Sequence, residues 1–383
     1  METSQRIARS QPLATTAMHG RVDAMKARGE EVIDFSIAIS HFQAPESVLQ
    51  AVRDGLKQPS LPYTTVGGDA GIRARLAAKV SSENGIAASA SEIIVTNGAK
   101  QALYQALYVM ADPGDAVIIF KPHWPAYVTT CKLLGLEPVL VDLPATVSAE
   151  FLDSLPPAKI LIVNNPHNPT GGVLRADEIE RIAAWLKRTG TRAIVDESYE
   201  KLIFEGVHTS LAARPDWQQI GIVSIYSASQ SYAMMGWRAG FAVAPSNIVT
   251  AMETLQGPIT AAAPMLIQLA LASAFESGEP MAMLHEYRQR RDMVLDMVHG
   301  LPWMTMRCPA SGPYLWGDVS ALTMDTKQFA EELLNQYAVA LMPGDALGAP
   351  GFIRIGYISD DIATLRRGVE AIIRYGNARY RAR

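Results

Sequence analysis

The sequence predicts an α/β protein, and three observations carry that expectation. Short apolar, β-branched runs alternate with amphipathic stretches through the middle of the chain, as at 93–95, 116–120, 160–163, 192–195 and 222–226. Turns marked by glycine or proline close most of those runs, which is the spacing of βαβ units in a parallel sheet. A length of 383 residues is long for one core and fits two domains, or one large domain with a satellite.

Composition narrows the class. Hydrophobic residues make up 49% and charged residues 19% of the chain, an ordinary globular balance. A net charge of −4 argues against a nucleic-acid footprint or a membrane-surface patch. The two cysteines, Cys131 and Cys308, lie far apart without metal-ligand spacing, so no metal site is expected and a reducing compartment suits the chain. The first residues lack an apolar signal core, and no apolar run is long enough to span a bilayer. A cytoplasmic location is the expectation.

The elements follow in order. Residues 14–27 are helix-patterned without a strong core face and read as an arm lying on something else. A short strand and turn are expected over 32–42, and a helix from near Asp69 that carries Ile72, Leu76 and Val80 on one face. Segment 92–103 reads as strand, glycine turn and helix; 116–120, 139–141 and 160–163 as strands; about 177–187 as helix; and 192–195 as strand. Beyond residue 246 helices are expected over 248–255, 264–275 and 284–298, the last bridging to a smaller domain. Strands at 311–316 and 352–357, a strand and turn at 339–344, helices at 327–337 and 360–375, and a solvated basic tail complete the expectation.

Three places suggest chemistry on residue types alone. The helix start after Gly98 offers free amides and a positive dipole end to an anion. Asp196, at the carboxyl end of a central strand, stands where open α/β sheets bind ligands, although a lone Asp there is equally a cap. The stretch 227–240 sets Ser227, Ser229 and Ser231 before Arg238 between two glycines, a composition suited to a phosphate or oxyanion cradle or to a buried loop.

That stretch, Ser-Ala-Ser-Gln-Ser-Tyr-Ala-Met-Met-Gly-Trp-Arg-Ala-Gly, resembles the cofactor-lysine segment of the class I/II aminotransferases, the fold-type I family that uses pyridoxal 5′-phosphate. Family-like marks recur in order: Asn97-Gly98-Ala99-Lys100-Gln101-Ala102-Leu103, Trp124, Asn168-Pro169-Thr170-Gly171, Asp196 with Tyr199, and Arg354. The resemblance runs from about Val32 to Tyr375. It implies a mostly parallel central sheet flanked by helices plus a smaller α/β domain, divided as 1–44 (arm and part of the small domain), 45–282 (cofactor-binding) and 283–383 (small domain). It also implies a homodimer with shared active sites acting on an α-amino acid.

The resemblance assigns roles residue by residue. Gly98, Ala99 and Lys100 would hold the cofactor phosphate through backbone amides, with Ser227, Ser229 and Arg238 opposite and the Lys100 side chain pointing away. Trp124 would stack on the pyridine ring, Asn168 meet its ring oxygen, Asp196 hold its nitrogen and Tyr199 reach its hydroxyl. Tyr63 would reach the phosphate of the other subunit. Arg354 would pair with the substrate α-carboxylate, with Asn168, Ala38 and His41 bordering the substrate.

One departure governs the mechanism. Gln230 stands where the family has its Schiff-base lysine, and an amide side chain is neither a nucleophile nor a base near neutral pH. Three readings stay open at this point: an aminotransferase whose lysine has been replaced, by design or by natural loss; a relative doing other α-carbon chemistry on an amino acid; and a protein that binds pyridoxal or pyridoxamine phosphate, or an amino-acid adduct, without covalent attachment. The substitution of Ala38 and His41 for the usual glycine and acid of that turn fits a specialised relative.

Overall fold

The structure is a computed structural model describing residues 12–278, 280–359 and 361–382, together with Ser4 and Ile7. Seven strands form its central sheet, in the order Ile93–Thr96, Gly240–Val243, Ile222–Ser227, Arg192–Asp196, Ile160–Asn164, Ala116–Lys121 and Glu137–Asp142. Neighbours from Ile222–Ser227 to Glu137–Asp142 run parallel. Gly240–Val243 runs antiparallel to both strands beside it. The sheet is therefore mixed, with a single reversed strand.

Burial on both faces explains the apolar runs. Every residue of Ile93–Thr96 and of Ile222–Ser227 is buried. Side chains alternate across the sheet, so Ile118, Leu161 and Val163 enter one core while Val117, Ile119, Ile160 and Ile162 enter the other. Helices cover both faces. Ala70–Asn84 starts where Asp69 accepts from the Ile72 amide at 3.0 Å, the N-cap that its sequence announces.

A second, smaller body has its own core, including Val294, Leu315, Phe329, Ile355 and Ile372. Its antiparallel sheet runs Met342–Pro343, Phe352–Gly356, Tyr314–Asp318, Thr305–Met306. The N-terminal segment joins this body: Ile33–Asp34 pairs in parallel with Val339–Ala340, and Val22 and Phe35 enter its core. Helix Ala14–Ala27 is thus packed by Met18 and Val22 rather than laid elsewhere as an arm.

Several expected bounds shift for physical reasons. The strand and turn expected over 339–344 are two short strands in different sheets, Val339–Ala340 and Met342–Pro343. Of the short strand and turn expected over 32–42, the strand is Ile33–Asp34, the two residues that pair with Val339–Ala340. The closing helix is Ile362–Arg381, capped by Asp361; residue 360 lies outside the described residues. What reads as a solvated tail is its last turns, tied down by Arg379 Nη1 on Glu332 Oε2 at 2.6 Å. No helix among the described residues is long and apolar enough to cross a membrane.

Candidate active site

The carboxyl ends of the parallel strands gather the polar side chains. Asp196 ends the strand Arg192–Asp196 and is buried, with both oxygens held. Tyr127 donates to its Oδ2 at 2.7 Å, and the amide and hydroxyl of Ser198 donate to Oδ1 at 3.1 and 2.5 Å. Burial and the neighbouring Asp196 charge push the Tyr127 hydroxyl far above its ordinary pKa, so it stays a proton donor. Asp196 is not a cap, because a turn and not a helix follows it.

Gly98 turns the chain into helix Ala99–Met110 at φ 82°, a conformation glycine adopts without cost. A Cβ there would collide with the Arg238 guanidinium. Gly240 passes equally close: its Cβ would sit 2.7 Å from the Ala99 amide nitrogen. Bare backbone thus lets Arg238 and the first amides of the helix converge. Arg238 is itself left-handed at φ 55°, as is Ala233 at φ 53°, so the turn after Ser231 holds two strained non-glycine residues. The Arg238 Nη1 donates to the Met235 carbonyl at 2.9 Å, and no acid pairs with this arginine among the described residues. Ser227 is buried, and its Oγ accepts from the Ser229 amide at 3.1 Å.

Lys100 departs from expectation. Its side chain does not point away: Nζ stands 5.3 Å from the centre of the Trp124 ring. Although it reaches solvent, partial burial and then the Arg238 charge lower its pKa. Trp124, half-buried, also meets Tyr127 edge-on with centroids 5.4 Å apart.

On the facing body Arg354 is 1% exposed. Its Nη1 donates to Asn168 Oδ1 at 3.1 Å and its Nη2 to the Ser36 carbonyl at 2.8 Å, while the guanidinium lies 3.9 Å above the Tyr314 ring centre. No carboxylate meets it among the described residues, and its Nε has no partner. Asn168 in turn donates from Nδ2 to the Tyr199 hydroxyl at 3.3 Å. Burial, foremost, raises the Tyr199 pKa well above its usual value.

Gln230 lies on the short helix Ala228–Ser231 and reaches the N-terminal segment: its Nε2 donates to the Ala38 carbonyl at 2.9 Å, and its buried Oε1 has no partner. His41 is turned to other work. Its Nδ1 sits 3.2 Å from the Ile358 carbonyl and its Nε2 3.0 Å from Glu286, contacts that fasten the turn to the second body. Tyr63 is 95% exposed and touches none of these groups. Tyr127, Ser198, Ser36 and Tyr314 escaped sequence reading. Only Tyr127 left a signal, in the first turn of the helix that Trp124 caps.

Architecture sets the class. The chain superposes on the Thermus thermophilus aspartate aminotransferase with maleate at a TM-score of 0.91, 29% identical, covering 98% of this chain and 100% of that one. An aspartate aminotransferase from Rhizobium meliloti gives 0.90 at 26% identity, over 98% and 99%. This is the α/β fold of the fold-type I aminotransferases.

The chain belongs to the aminotransferase class I and II family, whose model matches residues 30–372. An aspartate aminotransferase of Streptomyces avermitilis is 32% identical over 378 residues, spanning 94% of this chain and 92% of the relative. The arginine–pyruvate transaminase AruH of Pseudomonas aeruginosa is 31% identical, over 93% and 92%. The chain is thus an enzyme of a family that depends on pyridoxal phosphate.

Proposed function

We propose that the chain binds pyridoxal or pyridoxamine phosphate noncovalently and takes an α-amino acid onto Arg354, with Gln230 at the position where its relatives carry the cofactor lysine. The buried Arg354 carries this reading. An uncompensated buried guanidinium costs several kcal/mol, and a substrate carboxylate supplies the missing charge and an acceptor for Nε.

The donor set fits the cofactor. The amides of Ala99 and Lys100, Ser227 and the acid-free Arg238 suit a phosphate. Asp196, fixed by Tyr127 and Ser198, suits a protonated ring nitrogen, and Trp124 offers an aromatic face. Bound there, the cofactor supplies an electron sink for charge developing at the substrate α-carbon. The chain's own part is to hold both partners. Asp196 keeps the ring nitrogen charged, Asn168 and Tyr199 donate toward ring oxygen, and Arg354 fixes the carboxylate. Gln230 moves no proton. A homodimer, with the exposed Tyr63 reaching into the partner's phosphate site, completes the reading.

Isothermal titration tests it. Pyridoxamine phosphate should bind saturably. Arg354→Lys should weaken amino-acid binding to the loaded protein by about 1–3 kcal/mol, through lost bidentate geometry. Equal affinity for amino acids and their decarboxylated amines would overturn the Arg354 assignment.

A further inference from the structure

A cavity of about 640 Å³ opens between the two bodies, and neither Gly98, Asp196 nor Arg354 lines it. Its volume is that of a small-molecule site. One wall is set by register. Asp318 lies opposite Thr305 on one side and Phe352 on the other, and Trp316 lies opposite Arg354. Side chains alternate along strands, so Trp316, Asp318 and Phe352 share the sheet face of Arg354, and Arg307 follows one step past the strand end. Trp316 and Phe352 stack, with centroids 5.2 Å apart and planes within 6°.

The opposite wall belongs to the larger body. Its polar groups are already engaged. Glu178 accepts the amides of Val147 and Arg175, and His167 Nδ1 is 2.7 Å from Thr170 Oγ1. Tyr127 and Asn164 bond to the side chain and the carbonyl of Asp196, so this wall ends on a group of the candidate active site. Two charges on the lining are unspent. Arg307 has no ion pair among the described residues, and Asp318 Oδ1 accepts only the Ser320 amide. A cation and an anion beside an apolar floor and a stacked aromatic pair match a zwitterion with an apolar side chain.

We propose that this cleft binds an apolar or aromatic α-amino acid, its carboxylate on Arg307, its ammonium on Asp318 and its side chain on the Trp316–Phe352 stack. The site is separate from the Arg354 carboxylate site. A molecule held there touches the strand face that carries Arg354 and the groups that fix Asp196.

The test is calorimetric titration of L-phenylalanine into the full chain without cofactor. Saturable binding is expected in the wild type and, within threefold, in Arg354→Gln. Arg307→Gln, an exposed position, should weaken it at least tenfold, and Val173→Trp, which fills the cleft, should do the same. A tenfold loss in either cleft variant with Arg354→Gln unaffected supports the proposal. No saturable binding, loss in Arg354→Gln, or unchanged affinity in both cleft variants overturns it. Because cofactor is absent and Arg354 is removed in one arm, the result stands whatever becomes of the reading of the main site.

Discussion

The Gln230 side-chain amide donates to the Ala38 carbonyl across 192 residues of sequence, at 2.9 Å. The bond joins the short helix Ala228–Ser231 to the N-terminal turn at Ala38, the two segments that the proposed function sets at the cofactor and at the substrate. It also leaves Oε1 buried without a donor, at a cost of about 1–3 kcal/mol.

Gln230→Lys should gain a covalent cofactor. After incubation with pyridoxal phosphate and borohydride, intact mass should show one added cofactor, mapped by peptide to position 230. The wild-type chain should stay unlabelled there. Lys100 is the control, because its lowered pKa and its place beside Trp124 make it a competing amine. Label at Lys100 and none at position 230 in the variant would refute the assignment.

Arg238→Ala should weaken pyridoxamine phosphate binding more than Ser227→Ala. A guanidinium without an acid partner makes charge-assisted bonds of about 1.5–3 kcal/mol, and a neutral hydroxyl contributes about 0.5–1.5 kcal/mol. Titrations of the two variants under one ionic strength decide it, and equal losses would argue against a phosphate at this turn.

Sheet and site were unequally legible. Strands buried on both faces announce themselves as β-branched runs, so the central sheet could be read, as could the turn at Gly98 and Asp196 at a strand end. The reversal of Gly240–Val243 is a matter of long-range pairing, which its apolar residues do not encode. The direction of Lys100 depends on where Trp124 lands, and the deep burial of Arg354 on how Tyr314, Ser36 and Asn168 close around it. Each is a contact between distant segments, invisible to local pattern.

Stability should fall with acid earlier than carboxylates alone dictate. Burial holds His167 down at about 4, below the 6.5 of an exposed histidine. Its folded form resists the proton that the unfolded chain accepts. The contribution is therefore complete above pH 6.5 and is lost as pH falls toward 4. His123, lowered chiefly by burial, shares the direction. Urea midpoints at pH 7.5, 6 and 5 should decline in the wild type, and His167→Gln should flatten the decline.

Lys79→Met should cost about 3–5 kcal/mol, because it strands the buried Glu200 carboxylate. Lys79 contacts Glu200 and donates to Asn84 at 2.8 Å. Burial pushes the Glu200 pKa up, but the Lys79 charge and the hydrogen bonds outweigh it, and the net shift is downward. The pair therefore stabilises above the ordinary carboxylate pKa and fades as pH drops through the lowered value. Lys79→Met with Glu200→Gln should recover most of the loss in urea unfolding, and no recovery would show that packing, not charge, sets the cost.

The reversed strand also imposes a timetable. Ile93–Thr96, which carries the Gly98 turn, pairs in the sheet with Gly240–Val243 and, among the described residues, with no other strand. During synthesis that strand waits, edge unpaired, while nearly 150 further residues emerge. Chains stalled on the ribosome before residue 240 should leave segment 93–110 open to protease, and chains lengthened past 243 should protect it. If the proposed phosphate site at Gly98 and Arg238 holds, cofactor capture would follow that pairing and could not template the first half of the nascent chain.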